Sequence, residues 1–159
     1  MCIRDSAKKN NVCRMFIVNR MDAENANYEK TIEQLREKFG SSVVPLMLPI
    51  GEGAKFTGVV NVLENKAYSG KGKDLKEIPV PADMAPAIEN ALAEITEAAA
   101  EAVDELLEKY FEEGELSHEE ILQGFSAGMK SGSIVPAVPV SAVTGVGVAK
   151  LLDLSLIHI

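Results

Sequence analysis

The stretch that decides the fold is Val12-Cys13-Arg14-Met15-Phe16-Ile17-Val18, which runs directly into Asn19-Arg20-Met21-Asp22. Its apolar and β-branched residues predict a buried strand over residues 12–18. Open α/β sheets bind their ligands beyond the carboxyl ends of the strands. We therefore expect the polar tetrapeptide to lie at a ligand-binding edge of a sheet.

The residues of this tetrapeptide suit the recognition of guanine. The Asp22 carboxylate can accept two parallel hydrogen bonds from the guanine ring N–H and exocyclic amine, a donor pair that adenine lacks. The Asn19 amide is suited to tying neighbouring loops together, and the stem of Arg20 to lying flat on the base. A strand followed by an ordinary Asx-type turn has the same pattern, so the tetrapeptide alone leaves both interpretations open.

A second motif lies near the other end of the chain. An apolar strand is predicted over Ile134-Val135-Pro136-Ala137-Val138-Pro139-Val140, followed by Ser141-Ala142 and a glycine-containing turn. In the other half of a guanine site, a backbone N–H after such a strand meets the guanine keto oxygen. An ordinary strand-turn-helix junction would explain this piece alone. Both motifs in this order are more specific than either one, and together they predict a guanine site.

The segment between the two motifs reads as a long insertion of strands and helices. Periodicity, proline positions and cap residues predict a helix over 27–39 stopped by Gly40, an edge strand over 43–50, strands over 56–63 and 66–68, and helices over 84–101, 103–113 and 117–130. Gly70-Lys71-Gly72-Lys73 lacks the G-x-x-x-x-G-K-[ST] spacing of a phosphate loop, and we interpret it as a solvated hairpin end.

The predicted helices are strongly acidic. From Asp83 to Glu120 the only basic residue is Lys109. A solvated helix face typically has this composition, and an acidic docking surface for a basic partner is the alternative.

Composition limits the function classes. The net charge of −8 argues against a free-standing nucleic-acid binder, because phosphate contacts need Lys and Arg. Pro136, Pro139 and several charges interrupt the apolar runs, so no transmembrane segment is predicted. No Cys/His cluster has metal-ligand spacing, and Cys13 is the only cysteine beyond the first six residues. We therefore expect a protein of the reducing cytoplasm without a disulfide framework.

Both ends of the chain look unlike protein. Residues 1–6 and 154–159 back-translate to strings that are reverse complements of each other and resemble the end of a sequencing-library transposon. We interpret both hexapeptides as adapter-derived tails and exclude them from the fold. A native gene that encodes both hexapeptides in different codons would contradict this hypothesis.

Several segments together resemble the elongation factor G family of translational GTPases. They are Phe16 to Asp22 with Asn25-Ala26-Asn27-Tyr28, Leu48-Pro49-Ile50-Gly51-Glu52, Phe56 to Val62, Glu105 to Phe111, and the closing Ile134 to Ala142 and Gly147 to Asp153. The resemblance covers nearly all of residues 7–153. It implies an α/β fold, in which a partial P-loop GTPase-type parallel sheet (residues 7–40 and 133–153) carries an inserted α+β subdomain (residues 41–132).

The resemblance also implies a ribosome-dependent GTPase that drives translocation of tRNA and mRNA and uses GTP and GDP. Arg20 stands where the family more often has Lys, and Val140 replaces the Gly commonly found before Ser-Ala. The family's inserted subdomain touches the acidic stalk protein of the large ribosomal subunit, although the acidic helices here make plain electrostatic docking doubtful. The guanine-binding residues implied in this chain are Asn19, Arg20, Asp22, Ser141 and Ala142.

The catalytic parts of such a GTPase are absent from the sequence. It contains no phosphate-cradling glycine-rich loop, no magnesium-binding switch threonine and no Asp-x-x-Gly, the elements that hold the triphosphate, the metal and the attacking water. We therefore predict a catalytically inactive fragment whose Mg²⁺ ligands lie outside it. Alternatives are a GTPase of the tetracycline-resistance protection or release-factor type, a non-enzymatic acidic α/β interaction module, or a product with no function of its own.

Overall fold

The computed structural model describes residues 6–7, 9–10, 12–70 and 74–157. Residues 1–5 and 158–159 of the predicted tails, and residues 71–73 of the predicted hairpin end, lie outside these ranges. The strands are β1 Phe16–Val18, β2 Val43–Pro45, β3 Met47–Ile50, β4 Gly58–Asn61, β5 Lys66–Ser69, β6 Lys76–Ile78 and β7 Val135–Pro139. The α-helices are α1 Tyr28–Phe39, α2 Ala85–Glu101, α3 Asp104–Glu113, α4 His118–Ser131 and α5 Val148–Ile157.

One sheet is parallel and carries both predicted motifs. Its strand order is β1-β7-β2, with Phe16 opposite Ala137 and Val43 opposite Val135. All five residues of β7 are buried, as expected for the central strand of a sheet covered on both faces. The predicted parallel pairing of the two motif strands is confirmed, and so is the mixed α/β fold class.

The second sheet is antiparallel, with the order β3-β4-β5-β6. Successive side chains along a strand point to opposite faces of the sheet, and both faces of its central strands are buried. Val60 and Ala67 pack with α2 and α4, whereas Val59 and Tyr68 pack with α1 and β7. This sheet therefore lies between two apolar clusters and connects the acidic helices to the parallel sheet.

The predicted single strand over residues 43–50 is wrong. It is divided between β2 in the parallel sheet and β3 in the antiparallel sheet, and Leu46 serves both sheets. The Leu46 N–H donates to Ala137 O at 3.2 Å, and its carbonyl accepts from Val62 N–H at 3.1 Å. The predicted edge character is confirmed, since β2 and β3 each lie at the edge of a sheet.

The strand predicted over 66–68 is confirmed as β5, whereas the strands predicted over 12–18 and 56–63 were too long and one strand was missed. Residues 12–15 lie outside β1. Its register places Arg14 opposite the first residue of β7, so residues 12 and 13 extend beyond the end of that strand. The strand predicted over 56–63 shortens to β4, because the Asn61 side chain turns the chain by accepting from Leu63 N–H at 3.1 Å. The short, charged strand β6 lacked an apolar signal and was not predicted.

The helix predictions are confirmed to within a few residues at their ends. Asn27 caps α1 by accepting from Lys30 N–H, and Gly40 ends this helix. Ser117 and Glu120 form the predicted capping box at the start of α4. Helix α2 packs directly on α4. A Cβ at Gly124 would overlap the Ala99 carbonyl, so glycine allows this close contact.

Two properties of the described residues bear on function. No helix within them combines the length and apolarity needed to cross a membrane. Over the same residues, no group of three or more His, Cys, Asp or Glu side chains is placed to hold a metal ion.

Candidate functional site

The two motifs start from one point on the parallel sheet. Beyond the regular pairing of β1 and β7, Val140 N–H donates to Val18 O at 2.9 Å, and Met21 N–H donates to Val140 O at 3.2 Å. These bonds extend the contact between the two chain segments past the carboxyl ends of their strands. Asn19-Arg20-Met21-Asp22 and Ser141-Ala142 are therefore held side by side at the expected edge of the sheet.

Asn19 ties the two loops together, as its amide was expected to do. Its Oδ1 accepts from the N–H of Arg20 at 2.8 Å and from the N–H of Ala142 at 3.0 Å. Arg20 has a left-handed backbone with φ of 64°, which is uncommon for a residue other than glycine and often marks a functional turn. The Asn19 bond to its N–H supports that conformation and leaves Arg20 exposed at the rim.

Ser141 connects the second motif to the Asp22 carboxylate. Its hydroxyl donates to Asp22 Oδ1 at 2.6 Å and accepts from Thr144 N–H at 3.1 Å. Ser141 is completely buried, whereas Asp22 is half-buried. The Ser141 hydrogen bond, partly opposed by desolvation, lowers the pKa of Asp22 below its usual value. The carboxyl group is therefore ionised and fixed in place at neutral pH.

The Asp22 carboxylate retains the capacity that guanine recognition needs. An ionised carboxylate offers about four acceptor positions, and Ser141 uses one of them. Two donors on the edge of a base, such as the guanine ring N–H and exocyclic amine, can therefore still bind. The N–H of Ala142, by contrast, is held by Asn19 in this structure, so Ala142 braces the loop.

Val140 fits its position although the related family commonly has glycine there. It is buried, and its backbone is not in the left-handed region. Glycine is needed at Gly147 instead, where φ is 78° and a Cβ would lie 2.7 Å from Pro139 O. The tight turn between Ser141 and Gly147 is closed by Ser141 N–H donating to Val146 O at 3.0 Å.

The antiparallel sheet also contacts this edge, through the connection between β3 and β4. Met21, which is buried, accepts at its carbonyl from Gly53 N–H at 3.1 Å, and Gly53 lies between β3 and β4. The sequence identified the polar residues of the site but not Met21, Thr144 or Gly53 as its supports. Met21 occupies the variable position of its motif, and the other two act through backbone N–H groups, which every residue except proline possesses.

The structure thus brings all five predicted site residues to one edge. Asn19, Asp22, Ser141 and Ala142 are linked by hydrogen bonds, and Arg20 adds a cation that helps to lower the pKa of Asp22. The arrangement presents an ionised carboxylate beside an exposed arginine. It is suited to bind a flat, neutral ring that carries two adjacent N–H donors.

Comparisons with known proteins agree with the fold. The family model described as the elongation factor Tu GTP-binding domain matches residues 3–159. A crystal structure of a protein from Thermus thermophilus matches with a TM-score of 0.82 and 30% sequence identity. That match covers 95% of this chain and 23% of the Thermus chain, so this chain spans less than a quarter of the length of that protein.

Proposed function

The chain belongs to the elongation factor Tu GTP-binding domain family, and from this premise we propose that it is the guanine-recognising part of a ribosomal GTPase like elongation factor G. The observation that carries the proposal is the 2.6 Å hydrogen bond from Ser141 Oγ to Asp22 Oδ1. It joins motifs that lie 119 residues apart in sequence and holds the half-buried Asp22 carboxylate at the edge of the sheet.

Each residue of the site then has a distinct role in binding the base. Asp22 accepts hydrogen bonds from the guanine ring N–H and exocyclic amine, and Ser141 holds that carboxylate in position. Asn19 and Ala142 fix the two loops relative to each other. The stem of Arg20 covers one face of the base, as long amphipathic side chains do on apolar surfaces.

We assign hydrolysis of GTP to the longer protein and not to these residues. Phosphoryl transfer needs groups that hold the phosphates, a magnesium ion and a positioned water. The sequence has neither G-x-x-x-x-G-K-[ST] nor Asp-x-x-Gly to supply them. The 159-residue chain alone should therefore show no GTP turnover, and turnover by the purified chain would contradict this assignment.

The proposed division of the chain follows the resemblance. Residues 7–40 and 133–153 belong to the GTPase domain, and residues 41–132 form the inserted subdomain. β2 lies near the start of this proposed insertion and still pairs with β7 before the chain crosses into the antiparallel sheet. In the full-length cytoplasmic protein, this subdomain would face the ribosome and its large-subunit stalk while the site binds GTP or GDP.

Replacing Asp22 by asparagine tests base recognition. In the full-length protein that carries this sequence, Asp22→Asn should weaken GDP binding by about 100-fold or more, because two guanine donors lose their carboxylate. Binding of xanthosine diphosphate should improve, since the asparagine amide can donate to the 2-keto group of xanthine. The matched control is Asp83→Asn, which changes an exposed carboxylate outside the site.

The outcomes separate the alternatives. Equal GDP affinity in Asp22→Asn and the unchanged protein would overturn the proposed site and favour a non-enzymatic α/β interaction module. If the base switch occurs, a translocation assay on ribosomes with GTP tests the likeness to elongation factor G. Base switching without translocation would instead favour a GTPase of the tetracycline-resistance protection or release-factor type.

A further inference from the structure

A largely buried cation joins the antiparallel sheet to the helix that follows Ser141-Ala142. Lys150 Nζ lies 3.9 Å from the centroid of the Tyr68 ring and 3.9 Å from Glu64 Oε2. The Tyr68 hydroxyl donates to the same Glu64 oxygen at 2.8 Å. We call Lys150, Tyr68 and Glu64 the lysine clasp. It connects α5, at the end of the chain, with β5 and the turn before it.

Two members of the clasp are shielded from water, whereas the Glu64 side chain is 48% exposed. The Lys150 side chain is 16% exposed and Tyr68 is 8% exposed. Burial, together with the Glu64 hydrogen bond, raises the pKa of Tyr68 to about 12, so its hydroxyl remains a donor at neutral pH. Cation–π contacts are stronger when the cation is desolvated. The clasp is therefore better placed to hold two elements together than an exposed ion pair is.

Lys150 stands close in sequence to the guanine-type loop. It is the third residue of α5, and the helix begins with Leu151 N–H donating to Gly147 O at 3.0 Å. The loop before it is closed by Gly145 N–H donating to Ser141 O at 2.8 Å and by Ser141 N–H donating to Val146 O. A shift of the first turn of α5 is thus transmitted through short backbone bonds to Ser141.

The other side of the clasp belongs to a unit that contacts both halves of the site. Tyr68 pairs with Val59 of β4, and a Cβ at Gly147 would lie 3.3 Å from Val59 Cγ1. The connection before β4 carries Gly53, whose N–H donates to Met21 O at 3.1 Å. Strands β3 to β5 and their connections therefore support the first motif at Met21 and the second at the start of α5.

We propose that Lys150 is a positioning residue for guanine nucleotide binding, through which the antiparallel sheet sets the orientation of the Ser141-Ala142 loop. This inference rests on the proposed guanine site. Lys150 does not touch the base; it acts on Ser141 through the backbone of α5, and Ser141 acts on Asp22. A partner that shifts the antiparallel sheet would consequently change nucleotide affinity at the edge of the parallel sheet.

The test compares four variants of the full-length protein that carries this sequence. Lys150→Met keeps the stem and removes the charge, whereas Lys150→Arg retains a cation that stacks well on an aromatic ring. Lys66→Met removes an exposed ion pair with Glu77 on the same sheet and serves as the matched control. Ile95→Val, in the fully buried centre of α2, serves as a control for a general loss of stability.

The first readout is hydrogen exchange, which needs no nucleotide. Lys150→Met should speed exchange of the Ser141 and Gly145 amides by about tenfold. Lys150→Arg should restore slow exchange, and Lys66→Met should leave it unchanged. Unaltered exchange in Lys150→Met would overturn the proposal. Equal acceleration in Ile95→Val, measured at the same loss of global stability, would also overturn it, since the effect would then be unspecific.

The second readout is the Kd for GDP, which should rise by about tenfold in Lys150→Met and recover in Lys150→Arg. Faster loop exchange with an unchanged Kd would overturn the positioning role while leaving the loop contact intact. If the unchanged protein binds no GDP at all, the proposed function fails. Because the exchange experiment reports on the loop without a ligand, the two kinds of failure are distinguishable.

Discussion

Replacing Tyr28 by phenylalanine tests how the two sheets are joined. Tyr28 is the first residue of α1 and is almost completely buried. Its hydroxyl donates to Met47 O at 2.9 Å and lies 3.3 Å from Ala137 O. Met47 begins the antiparallel strand β3, and Ala137 lies at the centre of the parallel strand β7. A single hydroxyl therefore bridges the point where the chain crosses between sheets.

The loss of stability in Tyr28→Phe comes from the buried carbonyl acceptors that lose the hydroxyl donor. A buried acceptor that loses its donor costs about 1–3 kcal/mol. Ala137 O keeps its bond from Leu46 N–H, so the main loss falls on Met47 O. We expect the free energy of unfolding to fall by about 2 kcal/mol. At about 2–4 °C per kcal/mol for a chain of this size, the Tm should drop by roughly 4–8 °C.

Urea and thermal unfolding of the unchanged chain and the variant measure this loss. The matched control is Tyr110→Phe, because the Tyr110 hydroxyl has no hydrogen-bond partner among the residues that the structure describes. That control should change stability by less than about 0.5 kcal/mol. Equal stability of the two variants would refute the idea that the Tyr28 hydroxyl joins the sheets.

Alkaline pH gives an independent check on the same hydroxyl. Burial raises the pKa of Tyr28 well above its usual value of 10.0. Because the folded pKa is raised, stability from the neutral hydroxyl is fully present below pH 10 and declines as the pH rises further. The stability difference between the unchanged chain and Tyr28→Phe should therefore narrow above pH 10. A difference that widens there would contradict the burial of a neutral tyrosine.

Three further predictions concern the site and the helices. Ser141→Ala should weaken GDP binding by about tenfold in the full-length protein, because the Asp22 carboxylate loses its 2.6 Å donor; calorimetric titration measures this. Gly147→Ala should lower the free energy of unfolding by at least about 1 kcal/mol more than Gly114→Ala, as measured by urea titration. Both positions have a left-handed φ, but only at Gly147 would the added Cβ clash with a backbone atom. Hydrogen bonds from Lys109 and Ser117 lower the pKa of Glu120 to about 2. The stability that this carboxylate provides is therefore present above pH 4.5 and is lost as the pH falls towards 2. In Glu120→Gln, the free energy of unfolding should consequently fall less steeply with decreasing pH over this acid range.

The helices could be predicted because their signals are local. Asn27 and Ser117 each cap a helix by accepting from a backbone N–H three residues later. Gly114 and Gly132 end helices in the left-handed conformation, as their positions after periodic segments predict. None of these contacts depends on residues far away in sequence, so the local sequence is sufficient to predict where these helices begin and end.

The strand ends could not be predicted, because they depend on partners. Arg14 stays outside β1, and its guanidinium donates instead to Gly132 O at 3.1 Å. Leu46 divides one apolar segment between two sheets because its N–H and carbonyl face different strands. An apolar run records that a segment is buried, but it does not record which strand lies beside it.

For the site, the sequence predicted the polar groups better than their supports. Asp22 and Ser141 carry side chains whose chemistry points to a base, and their order along the chain links the two motifs. Lys150 has no such signal, since a lysine near the start of a helix ordinarily reads as a solvated residue. Its proposed role depends on Tyr68 and Glu64, which lie beside it although they are far from it in sequence.

The insertion itself helps to explain how two motifs so far apart form one site. Bringing ends together across 119 residues costs loop-closure entropy that grows with the logarithm of the loop length. Here β2, close to the start of the insertion, and β7, just after its end, are neighbouring strands, with Val43 opposite Val135. Once this pair has formed, only the short loops at the strand ends remain to be ordered. Because the Tyr28 hydroxyl lies at that crossing and the lysine clasp at the second motif, we expect these contacts to couple the folding of the insertion to the geometry of the proposed guanine site.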